Sequence, residues 1–374
     1  MRVGLDLLYL VPGETGGRES YARELIPALL EHDPELELVA FLNREAGPRL
    51  AAELGDRVSA VALPVSTASR SQWALGELAL VPAAARRARV ELVHAMANFG
   101  PSWGGFRRLV TIHDLQYRAT PELLSRPART ATHALVSLAA RAAHRIIAVS
   151  AAGRDEIVAG LGVERERIDV IPNGVRPAPP SVSTAGLRDR HRLGQRRVVL
   201  SVATNIPHKN LPVLIDALAL MDAAERPVLM FAGHGTDDGS LRDLAAAAGM
   251  ADDVRLLGSR STEQLDSLYA LAACLVLPTL HEGFGLPVIE AMARSLPVAC
   301  SDIPALREVA GPAALYFDPR SPAQVAERIS QLLRDADLSR RLRELGRPRA
   351  AQFSWAKAAR ATLESYRRTL GRQD

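Results

Sequence analysis

The stretch 281–294, HEGFGLPVIEAMAR, constrains the fold of this chain more than any other. An apolar run, 273–277, precedes it and reads as a buried parallel strand. Pro278 ends that strand, and Gly283 and Gly285 permit a tight turn. Pro287 suits the start of a helix, where a missing N–H costs nothing. Leu286, Ile289 and Ala293 then recur at helical spacing. The order is strand, glycine-rich loop, helix. A helix start of this kind offers unpaired N–H groups and partial positive charge, which suit a phosphate. Glu282 falls in the loop and Glu290 early in the helix, so each can accept from sugar hydroxyls. The combination suits a nucleotide sugar. The plainer reading makes Glu282 a solvated loop residue and Glu290 a partner of the helix dipole.

The same alternation of strand and helix extends through the chain. Strands are expected at 3–9, 36–42, 58–63, 90–94, 109–113 and 145–149, with helices between most of them. A helix is expected at 19–30, although Pro27 sits within it. A second series is expected at 198–202, 228–232, 254–257, 274–277, 298–301 and 314–317. Such alternation predicts an α/β protein with two doubly wound, Rossmann-like domains, and a cleft between such domains commonly takes a ligand. The expected division is 1–176, a Pro- and Ser-rich linker 177–196, then 197–354, and a closing helical segment 355–374 capped by Ser354.

Ligands in doubly wound sheets bind beyond the carboxyl ends of the strands. Lys209 stands there after the strand 198–202, where an ammonium can offset a diphosphate; alone it reads equally as a surface lysine. The pair His113-Asp114 stands at another such end and favours function. His94 at a third reads better as a cap or turn residue. Gly16-Gly17 forms either a simple turn or part of a nucleotide-binding loop, although no GxGxxG is present. Asp237-Asp238 and Asp335-Ala336-Asp337 read as helix-capping acids, and no metal site is expected.

Composition excludes several classes. Of 374 residues, 48% are hydrophobic and 24% charged, which suits packed soluble domains. The net charge is +4 and aromatics make up only 4%, so neither charge nor stacking surface points to nucleic acid. Cys274 and Cys300 fall in expected buried strands, which fits a reducing compartment. No signal peptide and no bilayer-length apolar run is read, so a cytoplasmic location is expected. The Arg- and Ala-rich stretch 126–145 is ordinarily a solvated helix; the alternative is peripheral contact with an anionic membrane on its inner face.

Taken in order, these pieces resemble the retaining glycosyltransferases of family 4, with the GT-B fold, over nearly the whole chain. The most specific part is Glu282-Gly283-Phe284-Gly285-Leu286-Pro287 through Glu290, which resembles the family's paired-glutamate motif. Gly16-Gly17, His113-Asp114-Leu115, Ile171-Pro172-Asn173-Gly174-Val175, Lys209-Asn210, Ser301-Asp302-Ile303-Pro304 and Phe353-Ser354-Trp355 support it. The resemblance implies two domains facing each other across a cleft, with the final helix crossing back to the first. It implies that Lys209 binds the donor diphosphate, that Glu290 holds the ribose and that Glu282 contacts the transferred sugar. Backbone N–H groups of Phe284, Gly285 and Leu286 would hold sugar and phosphates. His113 would lie beside the donor sugar, Gly16-Gly17 would approach the diphosphate, and the loop Gly258-Ser259-Arg260 would flank the base. Many members carry an arginine a few residues before the lysine. Here Thr204 stands at that position, with His208 as a partial substitute; the form Thr204…Pro207-His208-Lys209-Asn210 resembles the mannosyl- and rhamnosyltransferase-like branch.

The implied reaction moves a hexosyl group from a GDP- or UDP-linked sugar to a hydroxyl of a glycan, a lipid-linked sugar or a small molecule. It retains configuration and uses no metal or other cofactor. Acceptor choice is expected in the loops 98–105 and 116–127. The alternatives are another GT-B enzyme, such as a nucleotide-sugar epimerase, and a non-catalytic nucleotide-sugar-binding protein.

Overall fold

The structure is a computed structural model that describes residues 1–67, 69–121 and 124–372, with Arg70 and Ser71 described by their backbone alone. Residues 122 and 123 of the expected acceptor loop 116–127, and 373 and 374 of the closing segment, lie outside the described residues. The chain forms two compact units. Unit 1 is Met1–Gly174 with Ser354–Asp374, and unit 2 is Val175–Phe353.

Unit 1 holds seven strands: β1 (Arg2–Leu7), β2 (Glu37–Leu42), β3 (Val58–Ala62), β4 (Leu92–Ala95), β5 (Arg107–Ile112), β6 (Arg145–Ala148) and β7 (Ile168–Val170). They pair in parallel in the order β3-β2-β1-β4-β5-β6-β7. Helices cover the sheet, so the central strands read as almost unbroken apolar runs. Val3, Leu5, Leu7, Leu38, Val39, Phe41, Leu92 and Val93 are all buried. The strand order reverses between β1 and β4, the kind of point at which doubly wound sheets take ligands beyond their carboxyl ends.

Helix Gly17–His32 follows β1 and continues through Pro27. Proline forfeits one backbone hydrogen bond in a helix. Burial of Tyr21, Leu25, Ile26, Leu29 and Leu30 on the sheet outweighs that local loss. The closing helix Trp355–Leu370 belongs to the same unit and begins at Ser354, whose side chain accepts from the Lys357 N–H. Its approach is close: a Cβ on Gly174 would stand 2.2 Å from the Trp355 nitrogen.

Unit 2 holds β8 (Val198–Val202), β9 (Val228–Ala232), β10 (Val254–Leu256), β11 (Cys274–Leu277), β12 (Val298–Ser301) and β13 (Ala314–Phe317). Their order is β10-β9-β8-β11-β12-β13, again parallel throughout, with the reversal between β8 and β11. Both cysteines are free and buried in β11 and β12, and burial pushes the Cys274 thiol up to about 12.

Several boundaries differ from the sequence reading. β4 starts two residues later than expected, and β5 stops at Ile112, so His113 lies just beyond the strand. Residues 177–196 belong to unit 2 and carry a short helix, Leu187–Arg190, and the buried Leu193. Arg188 fastens this segment by donating to the carbonyls of Gly194 and Arg196. The helix after the glycine-rich loop spans Leu286–Ala293 and buries Val288, Ile289, Ala291 and Met292. Leu286 and Ala293 are only half-buried, so the expected line 286, 289, 293 is not its core face.

Candidate active site

In unit 2 the loops after β8 and β11 flank the switch point, and the sequence candidates meet there. The Lys209 ammonium forms an ion pair with Glu282 Oε1 at 2.6 Å, the two side chains 19% and 13% exposed. The backbone holds Lys209 from both sides. The His208 carbonyl accepts from the Leu280 N–H at 2.7 Å and from the Thr279 hydroxyl at 3.1 Å. Asn210 takes a left-handed conformation, and its side-chain amide donates to the carbonyls of Pro278 and Pro319. The β8 loop is thereby stitched to the β11 loop. His208 is buried within this stitch, and Thr204 is half-buried at the start of the loop.

The turn after Glu282 follows from Gly285, which has φ 97°. A Cβ there would be strained and would stand 2.4 Å from Leu306 Cδ2. Phe284 turns its buried ring edge-on to Phe353, with centroids 5.6 Å apart. Among the described residues none of the N–H groups of Phe284, Gly285 and Leu286 donates to a backbone carbonyl. Those donors, with the helix start behind them, are groups of the kind that can hold an anion, next in sequence to the Glu282 end of the Lys209–Glu282 pair.

Glu290 sits in the second turn of the helix and accepts the Tyr269 hydroxyl on Oε2 at 2.8 Å. Burial, and the carboxylate beside it, push the Tyr269 pKa well up, so the phenol keeps its proton and donates. Arg260 stands apart from these residues, in the loop after β10, and donates to the Ser259 carbonyl. Gly258 joins that loop to the β9 end, because its carbonyl accepts from the Gly233 N–H and its N–H donates to Thr236 Oγ1.

In unit 1, Gly16 (φ 61°) precedes the helix that Gly17 begins, and its carbonyl accepts from the Glu19 and Ser20 N–H groups. His113 is buried, with its backbone N–H on Asn98 Oδ1 and Nε2 at 2.9 Å from the Met96 carbonyl. A carbonyl only accepts, so Nε2 carries the proton and Nδ1 is the acceptor. The Tyr21 ring meets the imidazole edge-on at 4.8 Å. Burial lowers the His113 pKa to about 4, and the charge of Arg18 adds to this. The imidazole is therefore neutral near pH 7.

His94 is neither a cap nor a turn residue. It lies within β4, fully buried, with Nδ1 on the Tyr366 hydroxyl and Nε2 on Thr111 Oγ1, both at 2.8 Å. It ties the closing helix to the sheet, and burial holds its pKa down at about 3. Tyr269, Thr279 and Tyr21 escaped the sequence reading. Each acts through a partner distant in sequence and carries no local motif. Among the described residues no group of three His, Cys, Asp or Glu side chains is placed to hold a metal ion.

The sequence model of the family described as Glycosyltransferase Family 4 matches residues 15–178, and that of Glycosyl transferases group 1 matches residues 186–349. Between them they cover most of both units. The chain belongs to the family 4 glycosyltransferases. This glycosyltransferase has mannosyltransferases among its relatives. It is 29% identical over 273 residues to the O-antigen chain mannosyltransferase B of Escherichia coli, covering 70% of each chain. It is 31% identical over 237 residues to the MMP alpha-(1->4)-mannosyltransferase of Mycolicibacterium hassiacum, covering 62% of this chain and 56% of that one. The fold matches sucrose-phosphate synthase from Thermosynechococcus elongatus with a TM-score of 0.81 at 20% identity, over 99% of each chain. It also matches Anabaena HepE in complex with UDP and glucose, with a TM-score of 0.78 at 20% identity over 98% of this chain and 99% of that one. These structural likenesses bear out the two Rossmann-like domains of the GT-B fold.

Proposed function

We propose that this glycosyltransferase is a retaining, metal-independent hexosyltransferase. It takes the sugar from a GDP- or UDP-linked donor and passes it to a hydroxyl of a glycan, a lipid-linked sugar or a small molecule. The observation that carries this reading is the Lys209–Glu282 ion pair at the switch point of unit 2, beside the open N–H groups of residues 284–286. The mannosyltransferase names of the relatives, and the UDP bound by the Anabaena neighbour, support a nucleotide-sugar donor.

Charge grows on the diphosphate as the glycosidic bond breaks. Lys209 and the N–H groups at the helix start offset that charge without reorganising, which is electrostatic catalysis. Glu282 exchanges its ion pair with Lys209 for hydroxyls of the sugar. Tyr269 occupies Oε2 of Glu290, so Oε1 accepts from the ribose. His113 acts as a neutral group, whose Nδ1 accepts from a sugar hydroxyl. The acceptor hydroxyl attacks the face that the diphosphate leaves, which retains configuration with no enzymatic nucleophile.

The test is thermal unfolding with UDP, GDP, ADP and dTDP and their sugar conjugates, without added metal. A ligand that binds only the folded state raises the midpoint. One clear winner among the nucleotides is expected, and no shift with any of them overturns the reading. With that donor, the anomeric configuration of the product tests retention, and turnover in excess EDTA tests metal independence.

The same reading includes peripheral contact with an anionic membrane through helix Arg126–Ala142, which exposes Arg126, Leu138 and Arg141. No helix among the described residues is long and apolar enough to cross a membrane. Sedimentation with anionic but not with neutral vesicles is the expected result.

A further inference from the structure

Two acids are buried at the switch point of unit 1, and neither belongs to the candidate site described above. Asp6 lies near the carboxyl end of β1 and is 2% exposed; Glu77 is 6% exposed. Glu77 lies in Gly76–Leu80, a wide turn between the helices Arg70–Leu75 and Val81–Arg87, where the Val81 N–H donates back to the Gly76 carbonyl. Turns of this width are uncommon and frequently mark functional positions. This one is pressed onto the end of β1: a Cβ on Gly76 would stand 2.8 Å from Leu8 Cδ1.

Asp6 Oδ1 accepts from the Leu8 N–H at 3.2 Å. Glu77 faces both the Asp6 carboxyl and the Trp73 indole N–H. Yet Asp6 Oδ2, Glu77 Oε2 and Trp73 Nε1 are buried without a hydrogen bond of ordinary geometry among the described residues. Neither acid forms an ion pair among those residues. Among the described side chains the other titratable group facing the pair is Tyr9, from the loop after β1; Arg18 stands over its ring, 5.9 Å from the centroid. Two carboxylates cannot hydrogen-bond to each other, and a closed apolar site strongly disfavours two like charges. One proton between them removes a charge and supplies the missing donor.

We propose that Asp6 and Glu77 share one proton, and that this proton latches the turn Gly76–Leu80 to the carboxyl end of β1. Trp73 meets Phe99, which follows β4, edge-on at 4.4 Å, and both line a small pocket with Glu77, Leu78 and Leu138. The latch thus braces Trp73, and through it Phe99 beyond β4, against the end of β1. When it opens, the shared proton leaves to solvent, both carboxylates remain charged, and the turn separates from the strand. This device is independent of the donor chemistry proposed above.

Amide hydrogen exchange of residues 73–81 in the full chain, corrected for the intrinsic effect of pH, tests it. An opening that releases one proton becomes about tenfold easier per pH unit, so protection falls at that rate above roughly pH 5, until the closed pair itself ionises. The variants E77Q and D6N put a carboxamide N–H where the shared proton was. Both should keep the turn protected with a flat pH profile. A flat profile in the wild-type chain overturns the proposal, as does the wild-type slope persisting in either variant. If one variant fails to fold, the other decides, together with the wild-type profile.

Discussion

The Tyr269 hydroxyl donates to Glu290 Oε2 at 2.8 Å across 21 residues of sequence, from helix Thr262–Leu271 to helix Leu286–Ala293. The carboxylate is thereby aimed from within the fold, with Oε1 left clear of this bond. Tyr269→Phe keeps the packing and removes the bond. A net hydrogen bond is worth about 1 kcal/mol, so we expect nucleotide affinity to fall roughly fivefold. Titration calorimetry with the nucleotide that stabilises the wild-type chain checks this.

Lys209→Ala should reduce turnover about 10²–10³-fold, the usual loss when one preorganised charge-stabilising donor is removed. The unfolding midpoint should fall as well, because Glu282, 13% exposed, loses its cation. Near-normal turnover would sink the role proposed for it.

Gly285→Ala combines a φ of 97° with a Cβ placed 2.4 Å from Leu306 Cδ2. Backbone strain of this kind costs about 1–3 kcal/mol. We expect a lower midpoint and loss of nucleotide-induced stabilisation together. A variant of full stability that no longer binds nucleotide would point to a direct role instead.

His94 and His113 are held neutral by burial, with pKa values of about 3 and about 4, against 6.5 for the free side chain. A base whose folded pKa is depressed stabilises the fold above its unfolded value, and that stability is lost as pH falls through the folded one. Stability should therefore fall between pH 6.5 and about 4, by up to about 1.4 kcal/mol per pH unit for each histidine. Chemical denaturation across that range measures the slope. His113→Gln should remove about one proton from it, and an unchanged slope would contradict the assignment.

Tyr366→Phe strands His94 Nδ1 in the core, 272 positions away in sequence. An orphaned buried polar atom costs about 1–3 kcal/mol. The loss should appear as earlier unfolding, and as faster hydrogen exchange in the closing helix Trp355–Leu370.

The alternation of strand and helix is legible in the residues alone, because burial on both faces of a parallel sheet demands short apolar runs broken by glycine and proline. So are the turn at Gly285, the caps at Ser354 and Asp335, and the loop that carries Lys209, since each of these is written in adjacent residues. The helix expected at 19–30 runs on through Pro27, within Gly17–His32, because its packing overrides that residue's local preference. The folded chain alone reveals that Lys209 meets Glu282, that Tyr269 holds Glu290, that His94 is a buried tie, and that Asp6 faces Glu77. In each case the partners lie on different elements, and the order of strands in the sheet brings them together. That order is set by which faces find cover in the folded core, a sum over distant contacts that no local spacing records.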